Sequence, residues 1–127
     1  MAEIDSQGLY MHRKHVGLKE TYGEAPVAVK SAEVYYKQRM ADVTQQLKLG
    51  GGPWLMGPDF SGADILLGHC CTWGAQLGWF PWDDEVAFDY IKRVVSRPAW
   101  RKILGNNNMK SILEKVEAGS RAAASKL

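Results

Sequence analysis

The stretch Phe60-Ser61-Gly62-Ala63-Asp64-Ile65 predicts the start of a helix more sharply than any other part of the chain. Ser61 stands where an N-cap residue belongs, because its hydroxyl can accept the amide proton of the third helical residue. That third residue is Asp64, whose carboxylate can accept the amide proton of Ser61, so the pair predicts a capping box. Phe60 and Ile65 have the spacing of a hydrophobic staple. We therefore expect a helix to begin immediately after Ser61.

The helix predicted after Ser61 is apolar nearly all round as far as Leu77. Its apolar residues are Ala63, Ile65, Leu66, Leu67, Cys70, Cys71, Trp73, Ala75 and Leu77. A helix without a broad polar face is a buried one. It is too short, and too often interrupted by polar residues such as His69 and Thr72, to cross a bilayer. The sequence therefore predicts a buried central helix with the other helices around it.

Helical periodicity extends over the rest of the chain. Residues recur every three or four positions along one face of a first helix, at Ile4, Gly8, Met11, His15, Leu18 and Tyr22. A second face is formed by Val29, Ala32, Tyr36, Met40, Val43 and Leu47. No segment shows the alternation of a strand. The sequence predicts an all-α bundle of five to seven helices in one domain, residues 1–127, and this length suits a single domain.

Three short motifs resemble the C-terminal helical domain of the cytosolic glutathione transferases. Phe-Ser-x-Ala-Asp-Ile at 60–65, preceded by Pro53-Trp54-Leu55-Met56-Gly57, looks like the start of the sixth helix of that family, which carries a capping box and a staple. Tyr22-Gly23-Glu24-Ala25-Pro26 resembles the turn into the fifth helix, and Arg97-Pro98-Ala99-Trp100-Arg101 resembles the motif between the last helices. The resemblance runs from about Leu9 to Leu104. The N-terminal thioredoxin-like domain of the family has no counterpart in the sequence.

The resemblance implies a function for a domain of this kind. In the family, the thioredoxin-like domain binds and activates glutathione, whereas the helical domain lines the site of the electrophilic acceptor. For this chain it implies that a small hydrophobic electrophile is held by Tyr10, Met11 and Lys14 of the first helix, and by Trp73. It implies glutathione as a cofactor of a full-length parent only, so this chain alone is expected to be inactive. The alternative is a stand-alone, non-catalytic protein-interaction module of the same fold.

The residues themselves leave several of these roles open. Trp73 is equally well explained by packing in the core, and Tyr10 by a core or interface position. The basic run His12-Arg13-Lys14-His15 fits a solvated helix face with one partly buried histidine, or a contact with an anion or substrate. Two histidines with no further ligand nearby do not predict a metal site.

The sequence shows no catalytic constellation. Cys70 and Cys71 are adjacent on an apolar helix, where thiols are normally inert packing. His69 is next to Cys70 in the chain, and neighbours on a helix do not face each other. The net charge of +2 is too small to predict nucleic acid or a membrane as a partner.

Association and location follow from the same observations. The missing thioredoxin-like domain would cover apolar surface near Tyr10 and at the loop Trp79-Phe80-Pro81-Trp82. A homodimer is expected, with contacts around Ile4, Met11 and Tyr36. The adjacent thiols suit the reducing cytoplasm, and the terminal Ser125-Lys126-Leu127 matches a peroxisomal address signal as a second location.

Overall fold

The computed structural model describes residues 3–104 and 110–125, and these residues form helices and turns with no β-strand among them. The predicted all-α class is confirmed. The chain divides into two compact units, the first ending at Phe80 and the second beginning at Pro81, and each is described by itself. Across the described ranges, every helix is too short or too polar to cross a membrane. Lys126 and Leu127 of the predicted address signal lie outside the described residues.

The first helix, α1, is π-helical over most of its length. It comprises a π-helical stretch, Ile4–Leu9, an α-helical turn, Tyr10–His12, and a second π-helical stretch, Arg13–Gly17. In a π-helix each backbone N–H bonds the carbonyl five residues earlier. Accordingly, the N–H of Tyr10 donates to the carbonyl of Asp5. Residues five apart therefore come to lie on one face.

The wider turn changes which residues of α1 are buried. Ile4 and Leu9, five positions apart, are both fully buried. Leu18 and Tyr22 were expected on the buried face from a spacing of three and four residues, but they are 41% and 54% exposed. That part of the predicted stripe is wrong, because the first helix ends at Gly17, so that Leu18 lies in a turn and Tyr22 in a separate short helix. Leu9 is buried although the α-helical spacing did not predict it on the buried face.

Three more helices complete the first unit: α2, Lys19–Tyr22; α3, Pro26–Leu49; and α4, Gly62–Leu77. Pro26 begins α3, directly after the turn motif, where it is tolerated because the first helical position needs no N–H donor. The predicted apolar face of α3 is confirmed at its centre, where Ala32, Tyr36, Met40 and Val43 are buried.

Helix α4 begins at the predicted capping box. The amide of Ser61 donates to Oδ2 of Asp64 at 3.0 Å, and the Ser61 side chain faces the amide of Asp64 in return. The carboxylate is fully buried, and its Oδ1 accepts the amide proton of Leu55 at 2.9 Å. Asp64 therefore holds the loop before the helix as well as the helix start, which the motif alone did not show.

The apolar residues of the predicted helix start include an aromatic pair. The ring of Phe60 packs edge-on against Trp54, with centroids 5.0 Å apart. Ile65, the predicted staple partner of Phe60, is 57% exposed. The aromatic pair lies in the same loop that Asp64 holds through Leu55.

Half of the residues of α4 are buried, in agreement with the predicted buried helix. They are Asp64, Leu67, Gly68, Cys70, Cys71, Thr72, Gly74 and Ala75. Exposed residues recur along one face, at Gly62, Ile65, His69 and Gln76, with the half-buried Trp73 among them. The helix is therefore enclosed on all but one narrow side.

Helices α3 and α4 meet where Tyr36 lies against Gly74. Tyr36 is fully buried, and its hydroxyl donates to the carbonyl of Cys70 at 2.9 Å. A Cβ at position 74 would overlap the hydroxyl oxygen and Cζ of Tyr36. Burial raises the pKa of Tyr36 far above its usual value, so the hydroxyl keeps its proton as a donor. Gly74 is what allows this close approach.

The second unit contains α5, Glu85–Val95; α6, Pro98–Leu104; and α7, Lys110–Ser125. Asp84 caps α5, because its Oδ1 accepts the amide protons of Val86 at 2.9 Å and Ala87 at 3.1 Å. Helix α7 packs against α5 at Gly119, where a Cβ would come within 2.5 Å of the Phe88 ring.

The Asp64 carboxylate should contribute more to stability than the Ser61 hydroxyl. Replacing Asp64 by Ala removes the hydrogen bonds that the carboxylate accepts from the Leu55 amide and from the amide and hydroxyl of Ser61. It leaves the buried Leu55 amide unsatisfied, so we expect the free energy of unfolding to fall by about 3 kcal/mol. Ser61→Ala, the matched control, should cost about 1 kcal/mol. Urea unfolding measures both. Equal small losses would show that the carboxylate does not hold the loop.

The contact between Tyr36 and Gly74 predicts a second destabilising change. Gly74→Ala places a methyl group on the Tyr36 ring, and overpacking of this kind typically costs about 1 to 3 kcal/mol. Gly62→Ala, at the open start of the same helix, meets no atom within 4 Å and should leave stability nearly unchanged. Thermal unfolding compares the two variants. A Gly74→Ala protein as stable as Gly62→Ala would contradict the packing described here.

Candidate functional site

A cleft of about 440 Å³ lies in the first unit, between α1, α2 and the N-terminal turns of α3. Its walls are mostly apolar and include Val16, Ala25, Pro26, Val29 and Trp79. The polar residues that line it are His12, His15, Lys19, Glu24, Lys30 and Glu33. Its volume and its mixture of apolar walls with a few polar groups are typical of a small-molecule site.

His15 has a defined hydrogen-bonding state in this cleft. Its Nδ1 lies 2.9 Å from the carbonyl oxygen of Gly23. Because a carbonyl can only accept, Nδ1 must carry a proton. In the neutral ring the other nitrogen, Nε2, then has a lone pair and acts as an acceptor. Gly23 has a φ of 79°, a conformation that favours glycine, so the turn that presents this carbonyl depends on its residue type.

His12 packs on the aromatic wall of the cleft. Its ring meets that of Trp79 edge-on, with centroids 5.0 Å apart. Trp79 is buried and in turn contacts Tyr36, with centroids 5.6 Å apart. Burial lowers the pKa of His12 below 6.5, and the nearby Glu33 carboxylate opposes this only in part. The imidazole is therefore neutral at pH 7.

The charged residues of the cleft are paired with one another. Lys30 donates to Glu33 at 2.8 Å, and Lys19 lies 3.8 Å from Glu24. The hydrogen bond from Lys30 is the main reason that the pKa of Glu33 is lowered. Lys37 also lies 3.6 Å from Glu33. With its lysines paired and His12 neutral, the cleft favours an uncharged ligand over an anion.

The structure separates the basic run into two parts. His12 and His15 line the cleft, whereas Arg13 and Lys14 do not. Lys14 is exposed, and its ammonium lies over the ring of Tyr22, 5.2 Å from the centroid. Arg13 and Lys14 are exposed and the two histidines are half-buried, as expected for a solvated helix face, and a substrate contact through the histidines stays a prediction.

Two of the four predicted substrate-binding residues come together away from the cleft. The rings of Tyr10 and Trp73 meet edge-on with centroids 5.0 Å apart, and Tyr10 is 46% exposed. Met11 is half-buried. None of Tyr10, Met11, Lys14 and Trp73 lines the cleft, so their role in binding stays a prediction.

His69 belongs to the same surface cluster as Tyr10 and Trp73. Its ring lies 5.3 Å from that of Trp73, and its Nε2 is 3.7 Å from Oδ1 of Asp5. These contacts direct the imidazole towards α1. This agrees with the prediction that His69 does not form a nucleophile–base pair with its neighbour Cys70.

The two thiols of α4 are free and buried. Burial raises the pKa of Cys70 to about 12 and that of Cys71 still further. A thiol rather than a thiolate is a poor nucleophile, so the interpretation of both cysteines as inert packing is supported. Across residues 3–104 and 110–125, no three His, Cys, Asp or Glu side chains are grouped to hold a metal ion.

The residues predicted to meet a partner are not all on the surface. Ile4 and Tyr36 were expected at a dimer contact, but both are fully buried in the first unit and offer no side-chain surface to a second copy. Trp79 and Phe80, expected on an exposed apolar loop, are only 7% and 4% exposed. Met11 and Tyr10 keep partly exposed side chains. The homodimer itself stays a prediction.

The cleft was only partly visible in the sequence. The two histidines were identified through the basic run, and the residues after Gly23 through the turn motif. Val16, Lys19 and Lys30 carried no signal beyond a helical position. The bond from His15 to Gly23 and the contact of His12 with Trp79 join residues that no spacing rule connects.

Comparison with known proteins adds no relative. No protein-family model, no curated protein and no solved structure matches the chain. The likeness to the glutathione transferases therefore rests on the three sequence motifs.

The lowered pKa of His12 predicts that stability falls in mild acid. The unfolded chain binds a proton at the ordinary pKa of 6.5, whereas the folded chain resists it. The contribution of neutral His12 to the free energy of unfolding should therefore have its full value above pH 6.5. It should decrease as the pH falls below 6.5 and stop changing below the folded-state pKa. His12→Phe should reduce this fall, as measured by urea unfolding at several pH values. An NMR titration of His12 in the folded protein that gives an unshifted pKa would contradict it.

Proposed function

We propose that this chain is the helical, acceptor-binding half of a glutathione-transferase-like protein, and that its cleft holds a small, mostly apolar molecule. The observation that carries the proposal is the cleft of about 440 Å³, with apolar walls and two imidazoles. Pockets of this size with a few placed polar groups are the usual sites of small ligands.

Two of the family-like motifs contribute directly to this unit. The turn Tyr22-Gly23-Glu24-Ala25-Pro26 supplies three residues that line the cleft, and its glycine carbonyl orients His15. The capping box of Ser61 and Asp64 begins α4, the helix against which Tyr36 packs, and Tyr36 in turn contacts Trp79, which lines the cleft. The motifs that suggest the family therefore also support the site.

The residues of the cleft do not fit glutathione. Its carboxylates would need free cations or backbone amides, but Lys19 and Lys30 are paired with Glu24 and Glu33. The thiols of the chain have raised pKa values and are buried. We therefore propose no glutathione step here, and in this proposal glutathione belongs to a missing thioredoxin-like domain of a full-length parent.

In this proposal the chain contributes binding rather than bond making. Val29, Pro26 and Trp79 would remove water from the apolar part of an acceptor, and the histidines would orient its polar atom. Tyr10, Met11, Lys14 and Trp73 remain proposed contacts of the acceptor, and the surface near Tyr10 and Met11 is proposed to face the missing domain. A homodimer is retained as part of the same proposal.

Filling the cleft should abolish binding of an apolar probe. We expect 2-methoxynaphthalene to bind the purified chain saturably, as measured by equilibrium dialysis. Val29→Trp fills the cleft and should weaken binding at least about tenfold, because the apolar contact area is lost. Val27→Trp is the matched control, since Val27 lies two positions away and is 84% exposed.

Two outcomes would count against the proposed function. Equal binding by Val29→Trp and the wild type would place the probe elsewhere. If neither 2-methoxynaphthalene nor 2-naphthol bound saturably, the interaction-module alternative would replace the proposal.

A further inference from the structure

The hydrogen bond between His15 and Gly23 determines the hydrogen-bonding role of the other ring nitrogen of His15, Nε2. Nδ1 is the donor to the carbonyl at 2.9 Å, so Nε2 of the neutral ring is an acceptor. His15 is half-buried and is part of the lining of the cleft. A ligand that fills the cleft removes water from this nitrogen. A ligand without a donor then leaves an acceptor unsatisfied, which is costly.

The ligand donor that suits this nitrogen is uncharged. The carboxylates of Glu24 and Glu33 already have lysine partners, so they do not favour a further cation. An ammonium group would also lose its hydration among Val16, Val29 and Trp79. A hydroxyl group can donate to Nε2 without bringing a charge into the cleft.

The walls favour an aromatic body for the same ligand. Trp79 supplies a ring that is already used for an edge-on contact with His12. Aromatic rings gain from such edge-on and offset contacts in addition to the area that they bury. The cleft volume of about 440 Å³ is large enough for a compound of one or two fused rings.

We infer that the cleft selects phenolic compounds, with the ligand hydroxyl donating to Nε2 of His15 and the ring lying against the apolar wall. This inference rests on the proposed small-molecule function and specifies the ligand class of the same site. It assigns His15 the role of a specificity-determining residue, because its tautomer is set by a backbone carbonyl rather than by the ligand.

A matched pair of probes separates this inference from the proposed function. 2-Naphthol carries the hydroxyl, whereas 2-methoxynaphthalene has nearly the same shape and no donor. We expect 2-naphthol to bind the full chain about tenfold more tightly at neutral pH, because only it can donate a hydrogen bond to Nε2 of His15. Saturable but equal binding of both would overturn the phenol inference and leave the proposed function standing. Absence of binding by both would overturn the two together.

Substitution of His15 tests the residue. His15→Phe should bring the affinities of the two probes to within about twofold of each other, since the acceptor is gone. His69→Phe, the same substitution outside the cleft, should preserve the tenfold preference. A preference that survives His15→Phe would overturn the assignment to this residue.

The wild-type protein provides a test that does not depend on folding of a variant. Side-chain ¹H–¹⁵N NMR spectra distinguish the two neutral tautomers of histidine. We expect the Nδ1-protonated form of His15 in the free chain, with a shift of the Nε2 resonance on addition of 2-naphthol but not of 2-methoxynaphthalene. A ring protonated at Nε2 in the free chain, or an Nε2 resonance unmoved by bound 2-naphthol, would overturn the inference.

Discussion

The first unit depends on the fit of Tyr36 against Gly74. The hydroxyl of Tyr36 reaches the carbonyl of Cys70, and the absent side chain at position 74 makes room for the ring. The same ring contacts Trp79, which forms the wall on which His12 packs. The contact between α3 and α4 is therefore continuous with the wall of the cleft, so that the fold and the candidate site share one set of contacts.

The parts of the fold that could be predicted are those whose signals are local in sequence. The capping box of Ser61 and Asp64, the proline at the start of α3 and the face around Tyr36 each depend on residues a few positions apart. The π-helical turns of α1 could not be predicted in this way, because they replace the usual spacing of buried residues with one of five. Leu9 shows the consequence, because it is buried five positions after Ile4.

The candidate site could be predicted only as separate pieces. The basic run identified His12 and His15, and the turn motif identified Pro26, but nothing in their spacing indicated a cleft between them. A cavity is produced by contacts between distant residues, such as that of His12 with Trp79. The family resemblance led to Tyr10 and Trp73, which do meet, but in a surface cluster apart from the cleft.

The burial of Cys70 and Cys71 changes what their presence says about the environment of the protein. Susceptibility to oxidation follows thiolate character and exposure. Burial raises the pKa of Cys70 to about 12, and Cys71 is only 1% exposed. Low thiolate content and low exposure both disfavour oxidation. The folded helix would keep its thiols in an oxidising medium as well as in a reducing one. Cysteine content, often used to infer the compartment of a protein, therefore carries little information about where this chain functions.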